Sequence, residues 1–256
     1  MNRIGAQLYT VRELLTSERA TASVLGEIKK IGYDSVQLYG GPDVMERCAK
    51  AARAADLDIV GTLSNLTTCQ TFEGEIFAIC KAYSIPDIGI SARLAEFQQP
   101  ADYIARVNAF AQKVTAAGFT FSYHNHGAEF IRLTDGKRAM DHFLEAFDSD
   151  TVYYMPDTYW LHDGGCDVRH FLEQTKNRVK ILHLKDLKRT PEGHTFAEVG
   201  SGNLYFAGII KIALESGITN FVVEQDICDT NPIESLQKSF VYVKGLLERG
   251  WRVQGT

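Results

Sequence analysis

The segment LESGITNFVVEQD, residues 214–226, shows the pattern on which the fold prediction rests. It combines the end of an amphipathic helix, a glycine suited to a left-handed helix C-cap, a short apolar β run and terminal acidic residues. The same order of helix, glycine and strand recurs in KKIGYDSVQL (29–38) and TAAGFTFSY (115–123). Such repetition is typical of βαβ units, in which helices connect parallel strands.

Eight β runs alternate with helical segments along the chain. The runs begin near Ile4, Asp34, Asp58, Asp87, Phe119, Val152, Val179 and Phe221. Amphipathic patterns predict helices over 22–31, 43–55, 73–83, 101–117, 138–147, 168–177, 204–216 and 233–249. A doubly wound open sheet shows a similar alternation, but eight units in 256 residues favour a sheet that closes into a barrel. We therefore predict an α/β fold, a single (β/α)₈ TIM barrel that occupies residues 1–256 as one catalytic domain.

Composition excludes several classes of protein. Hydrophobic residues make up 45% of the chain and charged residues 23%, as in a globular protein with a substantial core. The net charge of −5 does not support a nucleic-acid partner, which normally requires a concentrated basic face. No run of about 18 apolar residues indicates a membrane span or signal peptide, so a cytoplasmic protein is expected. The five cysteines form no CxxC pair and are expected to be reduced.

Polar residues that end the last four predicted strands carry the functional hypothesis. The strand ends are Tyr123-His124-Asn125-His126, Met155-Pro156-Asp157, His183-Leu184-Lys185-Asp186 and Glu224-Gln225-Asp226. In a closed barrel these ends converge at the C-terminal face, where barrel enzymes place their active sites. Imidazole and carboxylate ligands suit Mn²⁺, Co²⁺, Zn²⁺ or Mg²⁺. The sequence therefore predicts a metal site.

Each candidate ligand also has an ordinary structural explanation. Asp157 is a residue type common at turns, and His183 is a single histidine in an apolar strand. Glu224 is more informative, because a carboxylate beside a valine run is costly to bury unless it is paired or bound to metal. The occurrence of all three at strand ends favours ligation.

Other residues near these strand ends have predicted roles in catalysis or substrate binding. His124 and His126 lie two apart, so one would bind metal, with His126 the candidate, while the other transfers protons or is structural. Lys185 would lie near the metal and hold a substrate oxygen or enolate, unless it is a solvated rim lysine. Glu129 and Trp160 would line a sugar site or pack the loops.

The loop Glu198-Val199-Gly200-Ser201-Gly202-Asn203 precedes a predicted helix and has the glycines of an anion-binding or ligand-binding loop. It lacks the GxGxxG spacing of a nucleotide-binding loop. Ordinary turn chemistry explains the glycines equally well.

The chain resembles the xylose-isomerase-like superfamily of sugar phosphate isomerases and epimerases, the barrel group that includes inosose dehydratases and endonuclease IV. The resemblance covers essentially the whole chain. It rests on GAQLYTVREL (5–14), YHNHGAEF (123–130), DTYWLHDGG (157–165), HLKDL (183–187), EVGSGNLYF (198–206) and VVEQD (222–226). It implies one Mn²⁺-like ion, with Co²⁺, Mg²⁺ or Zn²⁺ as alternatives, held by Asp157, His183 and Glu224.

The chain departs from the resembled epimerases on the fifth strand. Those enzymes use a glutamate there to bind metal and remove a proton, whereas this chain has His124, Asn125 and His126. The resemblance still implies removal of a proton next to the carbonyl of a keto sugar or polyol, with Glu224 or a histidine as base.

A sugar isomerase or epimerase is the first hypothesis for the function. A dehydratase or lyase acting on a keto-inositol or 3-keto sugar is the second. An endonuclease IV-like hydrolase disagrees with the acidic charge, and a non-catalytic sugar-binding barrel would need no metal. Barrels of this kind often pair, which leaves room for a homo-oligomer.

Overall fold

Ten β-strands and ten α-helices make up the fold in a computed structural model that describes residues 2–248, without the side chains of residues 94 and 98. In chain order the strands are β1 (Arg3–Gln7), β2 (Ser35–Tyr39), β3 (Asp58–Asn65), β4 (Asp87–Ser91), β5 (Thr120–His124), β6 (Val152–Met155), β7 (Ile181–Leu184), β8 (Asp186–Thr190), β9 (Gly193–Ala197) and β10 (Asn220–Val223). β8 and β9 form an antiparallel hairpin, and the other eight form one parallel sheet. These eight are the predicted strands.

The parallel sheet curls until its two ends meet. Its order is β6-β5-β4-β3-β2-β1-β10-β7, so β6 and β7 are the ends. Isolated backbone bridges join Tyr154 with Val179 and Asp157 with His183, and the His183 N–H donates to the Pro156 carbonyl at 2.9 Å. Pro156 has no N–H with which to extend the pairing. The predicted (β/α)₈ TIM barrel is confirmed, with a shorter ladder at the β6–β7 joint than elsewhere.

The helices cover the outside of this barrel. They are α1 (Glu18–Ile31), α2 (Pro42–Ala54), α3 (Leu66–Thr71), α4 (Glu73–Ala82), α5 (Pro100–Ala116), α6 (Ala139–Ala146), α7 (Thr158–Asp163), α8 (Val168–Thr175), α9 (Phe206–Glu215) and α10 (Pro232–Glu248), with 3₁₀ turns at Leu8–Leu14, Leu94–Gln98, Ala128–Phe130 and Lys176–Arg178. The predicted helices are present, although the predicted end of the last one, at Arg249, lies outside the described residues. α3 and α7 were not predicted, because six residues are too few for helical periodicity to show. Among residues 2–248, no helix has the length and apolar character needed to cross a membrane.

The β8–β9 hairpin packs against α7 and was also not predicted. Phe196 of β9 stacks on Tyr159 with 4.5 Å between ring centroids, and it meets the edge of Trp160 at 5.9 Å. An ion pair of 2.8 Å between His194 and Asp163 adds a polar contact between the two elements. The hairpin therefore fixes the position of the α7 aromatic residues.

The barrel interior has a small apolar core of its own. Val60, Met155, Ile181 and Val222 come from four different strands and pack together, separately from the larger core between strands and helices. Gly89 makes this packing possible, because a Cβ there would lie 2.9 Å from the Met155 methyl carbon and 2.6 Å from a backbone oxygen.

The parallel strands give the barrel two different ends. The N-terminal ends of the eight strands form the base, and their C-terminal ends form the mouth. Asp58 and Asp87 begin strands and lie at the base, whereas His124 ends a strand and lies at the mouth. Candidate functional residues are therefore those at the mouth.

Candidate metal centre

Four side chains that could hold a metal ion meet at the mouth. His124 ends β5, Asp157 follows β6, His183 lies in β7 and Glu224 follows β10. One ligand atom from each lies within 4.8 Å of the others, and all four residues are buried. The barrel thus brings together the three predicted residues Asp157, His183 and Glu224, with His124 as the fourth.

The chemistry of this group fits a divalent cation. Two imidazoles and two carboxylates are ligands that such ions take in proteins. Asp157 uses Oδ1 to accept hydrogen bonds from the Tyr159 and Trp160 N–H groups at the start of α7. His124 Nδ1 is buried without a hydrogen-bond partner among the described residues, and Asp157 Oδ2, which also lacks a hydrogen bond there, has an ion-pair contact with Lys185 Nζ at 3.2 Å. Buried polar atoms of this kind are costly unless something binds them.

The group differs from the predicted ligand set at one position, because His124 takes the place of His126. β5 ends at His124, so the two histidines are not consecutive same-face residues of one strand. Their ring centroids lie 4.9 Å apart with the rings nearly perpendicular. His126 is half-buried and lines the cavity at the mouth, beside Trp160. This position gives His126 access to a substrate and leaves His124 with the candidate ligands.

Lys185 lies among the carboxylates of the mouth. Its Nζ is 3.2 Å from Asp157 Oδ2, 3.2 Å from Glu224 Oε2 and 2.9 Å from Asp226 Oδ1, and the side chain is 1% exposed. It therefore acts as a buried counter-ion and is not the solvated rim lysine considered from the sequence. Three carboxylates and one ammonium leave two negative charges, which a divalent cation would balance.

The same contacts decide the ionisation of the carboxylates. Burial raises the pKa of Asp157 to about 6, although Lys185 acts against this rise. Burial also acts to raise the pKa of Glu224, but Lys185 and His183 outweigh it and hold that pKa well below its ordinary value. Both groups are thus carboxylates at neutral pH, the form in which they can bind metal.

The imidazoles of His124 and His126 are both neutral at pH 7. Burial, followed by the nearby His183 and His126, lowers the pKa of His124 well below its ordinary value. Burial and then the Lys185 ammonium lower the pKa of His126 to about 4. A neutral imidazole can bind a metal or accept a proton.

A cavity of about 480 Å³ opens onto the candidate metal group. Aromatic side chains line part of it, and polar side chains line the part formed by β3, β4 and the segments that follow them. The lining includes Tyr9, Tyr39, Trp160, Ser64, Asn65, Ser91, Arg93, His124, His126, Glu224 and Asp226. Mostly apolar walls with a few convergent polar groups are typical of small-molecule sites.

Several of these lining residues were not predicted. Tyr9, Tyr39, Asn65 and Arg93 belong to the first half of the barrel, whereas the predicted site residues follow the last four parallel strands. Tyr39 and Asn65 end β2 and β3, so their positions at strand ends were a signal in the sequence.

The predicted substrate-binding residues Trp160 and Glu129 occupy different positions. Trp160 lines the cavity. Glu129 is fully buried and accepts hydrogen bonds from Tyr123 Oη at 2.8 Å and from the His126 N–H at 3.0 Å. Burial raises the pKa of Glu129 to about 7. Glu129 therefore lies behind His126 and supports the backbone of that segment.

The glycine-containing loop 198–203 binds an anion that belongs to the protein. The N–H groups of Gly200 and Gly202 each donate to Asp186 Oδ2 at 2.9 Å, and those of Leu187 and Leu204 donate to Oδ1. A Cβ at Gly202 would lie 2.4 Å from Asp186 Oδ1, so this close approach requires glycine. Asp186 thus has a structural role, and its carboxylate occupies the loop.

Comparison with known proteins agrees with the barrel fold. Residues 66–240 match the model of a family described as xylose isomerase-like TIM barrel. The chain belongs to this family. An inosose dehydratase of Clostridium perfringens is 25% identical over 167 residues, covering 58% of this chain and 54% of that protein. The chain spans about half the length of the curated relatives it matches.

Solved structures of this family share the fold over nearly the whole chain. A sugar phosphate isomerase/epimerase from Parabacteroides distasonis has a TM-score of 0.78 and 21% identity, covering 95% of this chain and 98% of that one. A xylose isomerase-like TIM barrel protein from Mycobacterium smegmatis, solved in complex with magnesium, has a TM-score of 0.71 and 14% identity, with 97% of each chain covered. At these identities the similarity establishes the fold.

Proposed function

We propose that the protein is a divalent-metal-dependent sugar isomerase or epimerase that removes the α-proton of a keto sugar or related polyol. The observation that carries this proposal is the buried group of His124, Asp157, His183 and Glu224, two of which, His124 and Glu224, line an open cavity. A set of this composition is costly to bury without a cation, and the cavity gives a polar small molecule access to it.

The four residues of this group would hold the metal, and Mn²⁺ is the ion we expect. When bound, a divalent metal supplies a Lewis acid that stabilises the negative charge formed when a proton leaves the carbon next to a carbonyl. Lys185 would keep Asp157 and Glu224 ionised and in place, since it lies 3.2 Å from both.

The cavity residues would bind the substrate and move the proton. His126 is neutral at pH 7 and faces the cavity, so its imidazole can accept the α-proton and return it to the same or a neighbouring carbon. Glu224 also lines the cavity and is the second candidate base. Trp160 and Tyr9 would pack against the apolar face of a sugar, and Asn65 and Ser91 would bind its hydroxyls.

A dehydratase is the second candidate function, and two observations favour it. Several curated relatives with detectable sequence similarity are named inosose dehydratase. The end of the fifth strand and the two residues after it are also His124, Asn125 and His126, in place of the glutamate of the resembled epimerases. The two reactions share α-proton removal and differ in whether a β-hydroxyl is then expelled as water.

The experiment that tests the proposal begins with elemental analysis of the purified protein. The metal-loaded protein is then incubated in D₂O with a panel of keto sugars and keto-inositols, and proton NMR detects exchange of the α-proton. Exchange without loss of water indicates isomerisation or epimerisation, whereas loss of water indicates dehydration. Absence of both metal and exchange across the panel would contradict the proposal.

The variant His126→Asn separates binding from proton transfer. It should retain the metal, because His126 is not part of the four-residue group, and it should slow α-proton exchange by about 10²-fold or more, the typical contribution of a general base. Retained exchange at the wild-type rate would assign the base to Glu224.

A further inference from the structure

A pair of buried glutamine side chains lies next to His183. Gln7 ends β1 and Gln37 lies in β2, and both are fully buried inside the barrel. Gln37 Oε1 is 2.8 Å from Gln7 Nε2 and 2.6 Å from His183 Nε2. Neither glutamine belongs to the candidate ligand group or lines the cavity.

The direction of these hydrogen bonds is set by a backbone group. The Tyr9 N–H can only donate, and it lies 3.2 Å from the Gln7 side chain, which must therefore present its oxygen there. The Gln7 amide nitrogen then faces Gln37 and needs an acceptor, so Gln37 presents Oε1. The other end of the Gln37 amide agrees, since its nitrogen lies 3.2 Å from the Met155 sulfur, a weak acceptor.

The chain of contacts fixes one proton of the His183 imidazole. A carbonyl oxygen cannot donate, so the His183 Nε2 that faces Gln37 Oε1 must carry a proton. Nδ1 is then the ring nitrogen left for a metal, and it lies 2.8 Å from Glu224 Oε2. A cation held by both groups would take the place of any proton shared between them.

We propose that Gln7 and Gln37 form a relay that fixes His183 in the Nε2–H tautomer and so makes Nδ1 the metal-binding nitrogen. This proposal rests on the proposed function, since it assigns a task relative to the metal site. Gln37 is thus a positioning residue, which acts on the metal through His183. Histidine ligands commonly need such an outer partner to fix the tautomer and ring orientation.

The relay also prevents a competing contact. If the proton were on Nδ1, it would donate directly to Glu224 Oε2, and two candidate ligands would be engaged with each other. Without the Gln37 oxygen, the Nδ1–H tautomer can still donate to Glu224, whereas the Nε2–H group has lost its acceptor. Removal of Gln37 Oε1 should therefore weaken metal binding without removing any ligand.

The test compares three variants of the full chain by calorimetric titration of the metal-free protein with Mn²⁺. Gln37→Met removes the acceptor at similar size and should weaken binding by about 10-fold to 100-fold, the usual effect of losing an outer partner. Gln37→Glu keeps an acceptor and should bind at least as tightly as the wild type. Gln225→Met is the matched control, because Gln225 is equally buried but its amide donates to the Ile227 carbonyl.

A spectroscopic measurement tests the tautomer directly. Long-range proton–nitrogen correlation of Zn²⁺-loaded protein labelled with ¹⁵N-histidine should show a slowly exchanging proton on His183 Nε2 and none on Nδ1. A proton on Nδ1 would overturn the relay, and so would wild-type affinity in Gln37→Met or an equal loss in Gln225→Met. If Gln37→Met does not fold, the wild-type spectrum decides. A wild type that binds neither Mn²⁺ nor Zn²⁺ would instead overturn the proposed function, and the relay with it.

Discussion

The mouth and the base of the barrel both contain buried carboxylates, but different groups compensate their charge at the two ends. At the base, Asp87 is a single buried carboxylate whose Oδ2 accepts hydrogen bonds from Thr120 and Ser122 at 2.7 Å and 2.6 Å. At the mouth, Asp157 and Glu224 share one buried ammonium, that of Lys185. At the base, neutral hydroxyls bind one carboxylate oxygen, and Asp87 Oδ1 has no hydrogen-bond partner among the described residues, whereas the mouth keeps an excess of negative charge.

This comparison separates stability from function. A lone carboxylate held by hydroxyls costs some free energy of folding and needs no ligand. With Asp226, the carboxylates of the mouth leave two negative charges that Lys185 does not balance. Such a cluster is costly to bury without a cation, so the mouth is suited to binding and the base is not. Four substitutions test this difference.

The largest effect is expected from His183→Ala, which removes a candidate ligand at the mouth. The variant should lose stoichiometric metal and all measurable α-proton exchange, a greater loss than the about 10-fold to 100-fold cost of an outer partner. Elemental analysis after gel filtration and proton NMR in D₂O measure both quantities. His170→Ala, on the exposed surface of α8, is the control and should retain both. Stoichiometric metal in His183→Ala would refute the ligand set.

Lys185→Met should destabilise the metal-free protein by about 3–5 kcal/mol, because it leaves buried carboxylates without their counter-ion. Added Mn²⁺ should restore part of this loss by supplying positive charge. Urea denaturation with and without Mn²⁺ measures the difference. Lys180→Met is the matched control, since Lys180 is exposed near the base and lies over the Tyr153 ring. Equal unfolding free energies for the two variants would contradict the counter-ion role.

Asp87→Asn should change how stability depends on pH. Burial raises the pKa of Asp87 to about 6 despite hydrogen bonds from Ser122 and Thr120 and the nearby Lys180. Between about pH 4 and pH 6 the folded protein holds a proton that the unfolded chain has released, so the free energy of unfolding falls as the pH rises. The Asp87→Asn variant lacks this dependence. Its free energy of unfolding should therefore rise by up to about 2 kcal/mol relative to that of the wild type between pH 4 and pH 8. Parallel denaturation curves at the two pH values provide the check, and a constant difference would show that Asp87 does not titrate in this range.

The smallest effect is expected from Asp58→Asn, also at the base. Asp58 pairs with Arg3 at 3.1 Å and Arg53 at 3.7 Å, but all three side chains are exposed. Exposed ion pairs contribute about 0–1 kcal/mol, so thermal unfolding should shift little. A loss as large as that of Lys185→Met would mean that charge at the base matters as much as charge at the mouth.

The strands and long helices could be predicted because each has a local pattern. The glycines after the helices, as at Gly32 and Gly217, have the positive φ of a left-handed cap, which marks where each strand approaches. The β8–β9 hairpin lacked such a signal, since Lys188, Arg189 and the following turn resemble a polar loop. Its position depends on packing against α7, which no local pattern records.

The sequence predicts the strand ends at which the candidate site lies, but it does not identify every ligand. Asp157, His183 and Glu224 follow from position along each strand, but the choice between His124 and His126 depends on the residue at which β5 stops. Such boundaries are uncertain from sequence by a few residues. Of the three carboxylates around Lys185, Asp157 follows β6, whereas Glu224 and Asp226 follow β10, so only the closed barrel brings them together.

Two of the candidate ligands lie at the β6–β7 joint, where the ladder of backbone hydrogen bonds is short. Asp157 and His183 face each other across this joint and form one of the two bridges that close the ring. An ion held by both side chains would link the first and last strands of the sheet where backbone pairing is weakest. Opening of the ring, and with it amide hydrogen exchange in β6 and β7, would then depend on occupancy of the site. The metal centre would then stabilise the closed barrel in addition to its role in the reaction.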